Sequence, residues 1–165
     1  MQKENELIIT RVFNAPIQLV FEAWTNPEHL KNWWAPKGFT TTYCTVDLRI
    51  GGLFRYCMTS PDGSGIWGGG IYKEIDARNK IIYTDCFTDK DGNPVPPSYY
   101  GLQSTTIQES QVEVKFENEN GATKVTLKYT NMAELGKERE MARQGWNDML
   151  ESLTNYLTTI KNRTV

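Results

Sequence analysis

Hydrophobic residues recur at every second position through the middle of this chain and at every third or fourth position near its end. The stretch ELIITRVFN, residues 6–14, is short, apolar-rich and β-branched, and reads as a strand. Asn14-Ala15-Pro16 then opens a helix with Pro16 near its first turn, where a missing N–H costs nothing. Val20, Phe21 and Trp24 give that helix an apolar face. NPEHL begins a second short helix, with Asn26 as N-cap, Pro27 as first residue and Glu28 at the positive end of the dipole. It is expected to end at Trp33-Trp34-Ala35-Pro36, since proline disfavours helical geometry in the residue before it.

From there the period is two. Cys44, Val46, Leu48 and Ile50 alternate with Tyr43, Thr45, Asp47 and Arg49, and Gly51-Gly52 turns the chain into Phe54, Tyr56 and Met58. SPDGSG leads to IWGGGIYKEID, and ARNK leads to IIYTDCFT. After a long loop come QVEVKF, the turn ENENGA and KVTLKY. Consecutive alternating strands joined by short turns predict an antiparallel sheet with one buried face.

The segment from about 134 to 161 is the long helix, with Ala142, Gly145, Trp146, Met149, Leu153, Leu157 and Ile160 on one face. The predicted class is therefore α+β: a strand, two short helices, six strands and a C-terminal helix. That helix, about 40 Å long, must cover a curved sheet of about seven strands, and a cavity is expected between them. Gly145 is unusual inside a helix, where glycine is about 1 kcal/mol worse than alanine. Its expected role is to let the backbone approach the sheet or the short helices while Trp146 fills the space alongside. The triple glycine at 68–70 lacks the Lys-Ser/Thr of a phosphate loop and suggests a bend or bulge.

The 165 residues fit one domain, 1–165, large enough to bury a sizeable core. A net charge of −2 and no basic stripe give no footprint for nucleic acid. No apolar run reaches the ~20 residues of a membrane span, and MQKENELIIT lacks the apolar core of a secretory signal, so a cytoplasmic location is expected. Cys44, Cys57 and Cys86 are widely spaced, without a CxxC, and read as buried, inert thiols. No metal or cofactor motif is present, and monomer and homodimer are both compatible with the pattern.

The stretches RVFNAPIQLVFEAWTNPEHLKNWWAP, VDLRIGGLFRY, IYKEIDARNKIIYT and GWNDMLESLTNYL, in that order, span nearly the whole chain. On them the chain resembles the family named after the C-terminal domain of the activator of heat-shock-protein-90 ATPase. That family lies within the helix-grip superfamily of START and birch-pollen-allergen-like proteins. The resemblance implies a carrier of small molecules, a chaperone co-factor binding a heat-shock-protein-90-type ATPase, or a cyclase- or hydrolase-like enzyme; the fold alone does not choose. The first strand begins within a few residues of Met1, so the separate N-terminal domain of the eukaryotic activators is not expected here.

The leading expectation is non-enzymatic binding of a small hydrophobic or aromatic molecule between sheet and helix. Candidate lining residues are Phe54, Tyr56, Met58, Trp67, Tyr83 and Phe87 from the sheet and Trp146, Met149 and Leu153 from the helix, with Trp33 and Trp34 near the mouth. An empty ligand-sized cavity of ~300–1,000 Å³ at about 24 cal/mol per Å³ would cancel much of a domain's stability. The space must therefore hold rings, water or a ligand. The loop 88–110 is long for a compact domain; it is expected to act as a lid, with Tyr99-Tyr100 at its tip, and a surface loop or an oligomer contact is the alternative. For catalysis there is little to work with. His29 is the one histidine and reads as an exposed helix residue, while Asp47 and Arg49 read as a solvated cross-strand pair, with Glu74 and Asp85 of similar status. An inward-facing carboxylate could nonetheless serve as a general acid or base.

Overall fold

The computed structural model describes residues 6–102, 105–131 and 138–163, and among them seven strands form one antiparallel sheet. These are β1 (Glu6–Phe13), β2 (Thr40–Val46), β3 (Leu53–Thr59), β4 (Gly65–Asp76), β5 (Lys80–Thr88), β6 (Ser110–Glu119) and β7 (Ala122–Asn131). Their spatial order is β1-β7-β6-β5-β4-β3-β2. Every neighbour is thus a sequential partner except β1, which joins β7 in a register running from Glu6–Thr130 to Phe13–Thr123. Helices α1 (Ile17–Thr25) and α2 (Pro27–Leu30) carry the chain from one edge of the sheet to the other, and α3 (Glu138–Arg163) follows β7. This is the α+β element order that the periodicity predicts, and the helix-grip fold that the resemblance implies.

Local chemistry sets the helix ends. Pro16 caps α1, and the extended Asn26 closes it while its side chain accepts the Glu28 N–H at 2.9 Å to start α2. The three helices lie on one face of the sheet. Phe21 and Trp24 of α1 meet Phe116 of β6 edge-on, with ring centroids 5.3 and 5.9 Å apart. Trp146 of α3 packs on Tyr129 of β7, and Arg11 of β1 reaches Glu151 of α3 at 3.2 Å. His29 is half-buried rather than exposed: its Nδ1 lies 2.6 Å from the Tyr156 hydroxyl and ties α2 to α3.

Three expectations change. β2 ends at Val46, four residues before Ile50, which is 71% exposed. Residues 47–52 instead form a loop in which Gly51, at φ 83°, donates its N–H to the Tyr72 carbonyl at 2.8 Å. The Asp47–Arg49 pair, 2.8 Å apart, lies within this loop and not across strands. α2 stops at Leu30, and the chain passes Trp33 and Trp34 in turns.

The third change concerns Gly145. A Cβ built there meets no atom within 4 Å, so the close backbone approach expected of it does not exist. The tightly packed glycines are those of β4. A Cβ at Gly70 would sit 2.0 Å from the Thr84 carbonyl oxygen, and Gly69 has φ 153° with Phe54 O in the way. The bulge expected near them lies slightly further on, between Tyr72 and Glu74. Of the predicted α3, residues 134–137 lie outside the described residues.

Candidate functional site

Much of the space between sheet and helices is filled by one aromatic cluster. Trp34 is 2% exposed and meets Phe54 at 5.3 Å, Tyr56 at 5.6 Å and Trp146 at 5.6 Å, centroid to centroid. Trp33 is equally buried, stacked edge-on with Trp24 and donating its indole N–H to the Ala23 carbonyl at 2.9 Å. The two tryptophans expected at a mouth are thus the plug of the core. Proline at 36 ends the helical turns just after them, and the chain then has to cross the sheet face to reach β2.

What the plug leaves open is a cavity of about 100 Å³ on the sheet's inner face. Its walls are Tyr56, Asp85, Phe87, Gln108, Ser110 and Tyr129, with Cys86 alongside. Period-two alternation explains the set: Ile81, Tyr83, Asp85 and Phe87 share the inner face of β5, and Asp85 stands opposite Ser110 of β6 in register. Tyr56 pairs with Gly68 on β4, and a Cβ at Gly68 would lie 2.4 Å from the Tyr56 hydroxyl oxygen. Glycine at 68 therefore lets the Tyr56 ring cross β4 and place its hydroxyl on β5, where it donates to Asp85 Oδ1 at 2.8 Å. Beside this pair, Ser110 Oγ donates to the Tyr129 hydroxyl at 2.7 Å.

The electrostatics follow from the enclosure. Burial pushes the Asp85 carboxyl up to about 7, against the opposing pull of hydrogen bonds from the Tyr56 hydroxyl and the Cys86 N–H. The Tyr56 hydroxyl is raised well above its ordinary value, first by burial and then by Asp85. Burial, with Asp85 and Glu109 adding, pushes the Cys86 thiol to about 11, and burial takes Cys44 to about 12. Both thiols are therefore protonated at neutral pH and poor nucleophiles. Asp85 is the one group here that changes charge near pH 7. Glu74, given similar status in the sequence, is instead ion-paired with Lys80 at 2.7 Å.

Of the predicted lining residues, Tyr56 and Phe87 reach the cavity. Phe54, Tyr83, Trp146, Met149 and Leu153 are buried in the core, and Met58 packs half-buried against it. Trp67 lies on the opposite face: it pairs with Cys57, whose neighbours Tyr56 and Met58 face inward, and its ring meets Tyr43 at 5.2 Å and Arg55 at 5.5 Å. Tyr99 is 60% exposed. Tyr100 belongs to a short 3₁₀ turn, Pro97–Tyr100, which anchors the loop at the end of the β4–β5 ladder. There the Tyr100 hydroxyl accepts the Trp67 N–H at 3.1 Å and donates to the Thr88 carbonyl, and its ring rests 5.7 Å from Phe87. Gln108, Ser110 and Tyr129 are wall residues that sequence reasoning missed, and Asp85, read there as a solvated carboxylate, faces inward. Extending the inward phase from Tyr83 by two residues would have found Asp85.

A second recess, about 330 Å³, lies on the outer face over Gly69 and Gly70. Leu53, Ile71, Thr84, Thr88 and Pro94 are among its walls, and Arg55, its basic group, donates to the Lys90 carbonyl at 2.9 Å. Among the described residues no group of three His, Cys, Asp or Glu side chains could hold a metal ion, and no helix is long and apolar enough to cross a membrane.

Residues 14–158 match the model of a family described as activator of Hsp90 ATPase homolog 1-like protein. A crystal structure of a Nitrosomonas europaea protein, 24% identical, covers 98% of this chain and 99% of its own with a TM-score of 0.78. A solution structure from Arthrobacter aurescens is 26% identical over 94% of this chain and 87% of its own, with a TM-score of 0.79. The AHSA1 protein of Silicibacter pomeroyi, 19% identical, covers 93% of this chain and 98% of its own at a TM-score of 0.75. No curated protein matches the chain.

Proposed function

The chain belongs to the family of activator of Hsp90 ATPase homolog 1-like proteins, and from that premise we propose that it binds a small hydrophobic or aromatic molecule with one polar end. The polar end is held at Asp85, and the apolar part lies against Phe87, Tyr56 and Tyr129. The observation that carries this reading is a cavity that encloses two hydrogen-bonded polar pairs, Tyr56–Asp85 and Ser110–Tyr129, between aromatic walls. Convergent polar groups in an aromatic hollow, one of them with a perturbed ionisation, are the usual signature of a small-molecule site. Its size sets the scale of the ligand. An engineered cavity of about 150 Å³ holds benzene, so about 100 Å³ suits a group of roughly five heavy atoms. The loop anchored by Tyr100 acts as the lid over the Phe87 end. Three unpaired thiols suit a reducing compartment, which supports action in the cytoplasm.

The test is a fragment screen read by side-chain NMR, with small neutral, cationic and anionic compounds of about five to seven heavy atoms. Binding should move the signals of Phe87, Tyr56 and Tyr129 together, and native mass spectrometry of protein from its own host should find a low-mass adduct. If every fragment leaves those three signals unmoved, the binding reading fails.

One observation favours a catalytic reading in second place. A carboxyl that titrates near 7 beside a tyrosine hydroxyl is matched to general acid–base work at neutral pH. Turnover of a bound ligand that disappears in Asp85→Asn, with affinity retained, would promote this reading over plain binding. A chaperone ATPase as partner is supported by the family's description and is tested by pull-down with the chaperone's middle domain.

A further inference from the structure

The hydrogen bonds inside the cavity commit two of its hydroxyl protons. The Tyr56 hydroxyl spends its proton on Asp85, and the Ser110 hydroxyl spends its proton on Tyr129. The walls present acceptor capacity to a ligand: the lone pairs of the Asp85 carboxylate, those of Ser110 Oγ, and the negative faces of three aromatic rings, Tyr56, Phe87 and Tyr129. The Tyr129 hydroxyl and the Gln108 amide, each engaged in further interactions, carry donors as well.

Asp85 is the one charged group among the described residues that line the cavity. Asp85 faces Tyr56 from β3, Ser110 from β6 and Tyr129 from β7, with Tyr83 and Cys86 on its own strand. α3 meets Tyr129 through Trp146, an uncharged side chain. Glu109 adds negative potential beside Cys86, and Arg55 shares the outer recess with both. Among the described residues lining the cavity none is Lys, Arg or His. A half-buried carboxylate with no basic partner in the cavity's described lining is poorly compensated.

From this we infer that the ligand is a small organic cation, an aliphatic or aromatic amine whose ammonium group pairs with the Asp85 carboxylate and lies against the rings of Tyr56, Phe87 and Tyr129. The inference rests on the binding reading above and names its ligand class. An ammonium brings three donors and no acceptor, which complements the Asp85 carboxylate and the Ser110 oxygen. Aromatic faces hold such cations better once water is excluded. A neutral alcohol of the same shape would fill the space but leave the carboxylate unpaired.

The experiment uses the full chain and three probes of nearly equal size: n-butylamine, 1-butanol and butyrate. Binding is followed by NMR at Phe87 and Tyr129 from pH 6 to pH 8. An aliphatic amine, like lysine at about 10.4, stays protonated throughout. The expected result is that butylamine binds at least tenfold more tightly than butanol at pH 8. Its affinity should fall about tenfold on going to pH 6 as Asp85 takes up a proton, while butanol shows no such trend. Asp85→Asn should lose the preference for the amine yet still admit butanol, with an unchanged NMR fingerprint elsewhere reporting an intact fold. If butanol or butyrate binds as tightly as the amine, or the asparagine variant keeps the preference, the cation inference is overturned and the cavity remains a binding site. If none of the three moves Phe87 or Tyr129 at any pH, the inference falls together with the reading beneath it.

Discussion

Replacing Asp85 by asparagine should make the protein more stable at pH 8 and leave it nearly unchanged at pH 4. In the folded chain burial raises this carboxyl from 3.8 to about 7, so between those values the folded state binds more protons than the unfolded one. Stability then declines with rising pH, by up to about 1.4 kcal/mol per unit, because the slope follows the protons bound by the unfolded state minus those bound by the folded state. The favourable contribution is complete below about pH 4 and gone above about pH 7. Three units would give about 4 kcal/mol, and solvent reaching the carboxyl through the cavity reduces this to roughly 2–4 kcal/mol. Asparagine keeps an oxygen for the Tyr56 hydroxyl and never ionises. Urea unfolding of both proteins at half-unit steps from pH 4 to 8.5 measures the difference directly, and other titrating groups cancel in the comparison. A gap between the two that varies by less than about 1 kcal/mol across that range would refute the account of Asp85 as a buried acid without a counter-charge.

Gly145→Ala should stabilise the protein by up to about 1 kcal/mol, since the new methyl meets open space and alanine is the better helix former; a loss of stability in thermal or urea unfolding would mean that something lies against that backbone. Tyr100→Phe removes the hydroxyl that serves both the Trp67 N–H and the Thr88 carbonyl. It should cost about 1–3 kcal/mol and speed protease cleavage between residues 88 and 107. Small amines should slow cleavage of the parent protein, and cleavage unchanged by both the substitution and the amines would remove the loop from the role of lid.

The order of elements was legible because each rests on a local signal: alternation for the strands, Asn26-Pro27 for the start of α2, and the three-to-four spacing for α3. What alternation could not deliver is phase across a glycine run. Residues 68–70 carry no side chains to mark inside from outside, so Trp67 was assigned to the wrong face and the reason for Gly68 stayed hidden. Register also escaped, and register is what sets Asp85 opposite Ser110 and brings Tyr56 within reach of it. A carboxylate in the polar-looking run TDCFT reads as solvated until the strand's inward set is counted from Tyr83. Aromatic richness gave the right materials and the wrong division of labour. Most of the rings, with Trp34 at their centre, close the interior, and fewer of them line the remaining space.

The pairing of the first strand with the last has a consequence for how this chain is made. Phe13 has emerged from the ribosome long before its partner Thr123 exists. At about 5–20 residues per second, the delay is on the order of 5–20 s. Throughout it, Leu7, Ile9 and Phe13 lack the surface that later hides them. Slowing translation should therefore increase the fraction that aggregates before the sheet can close.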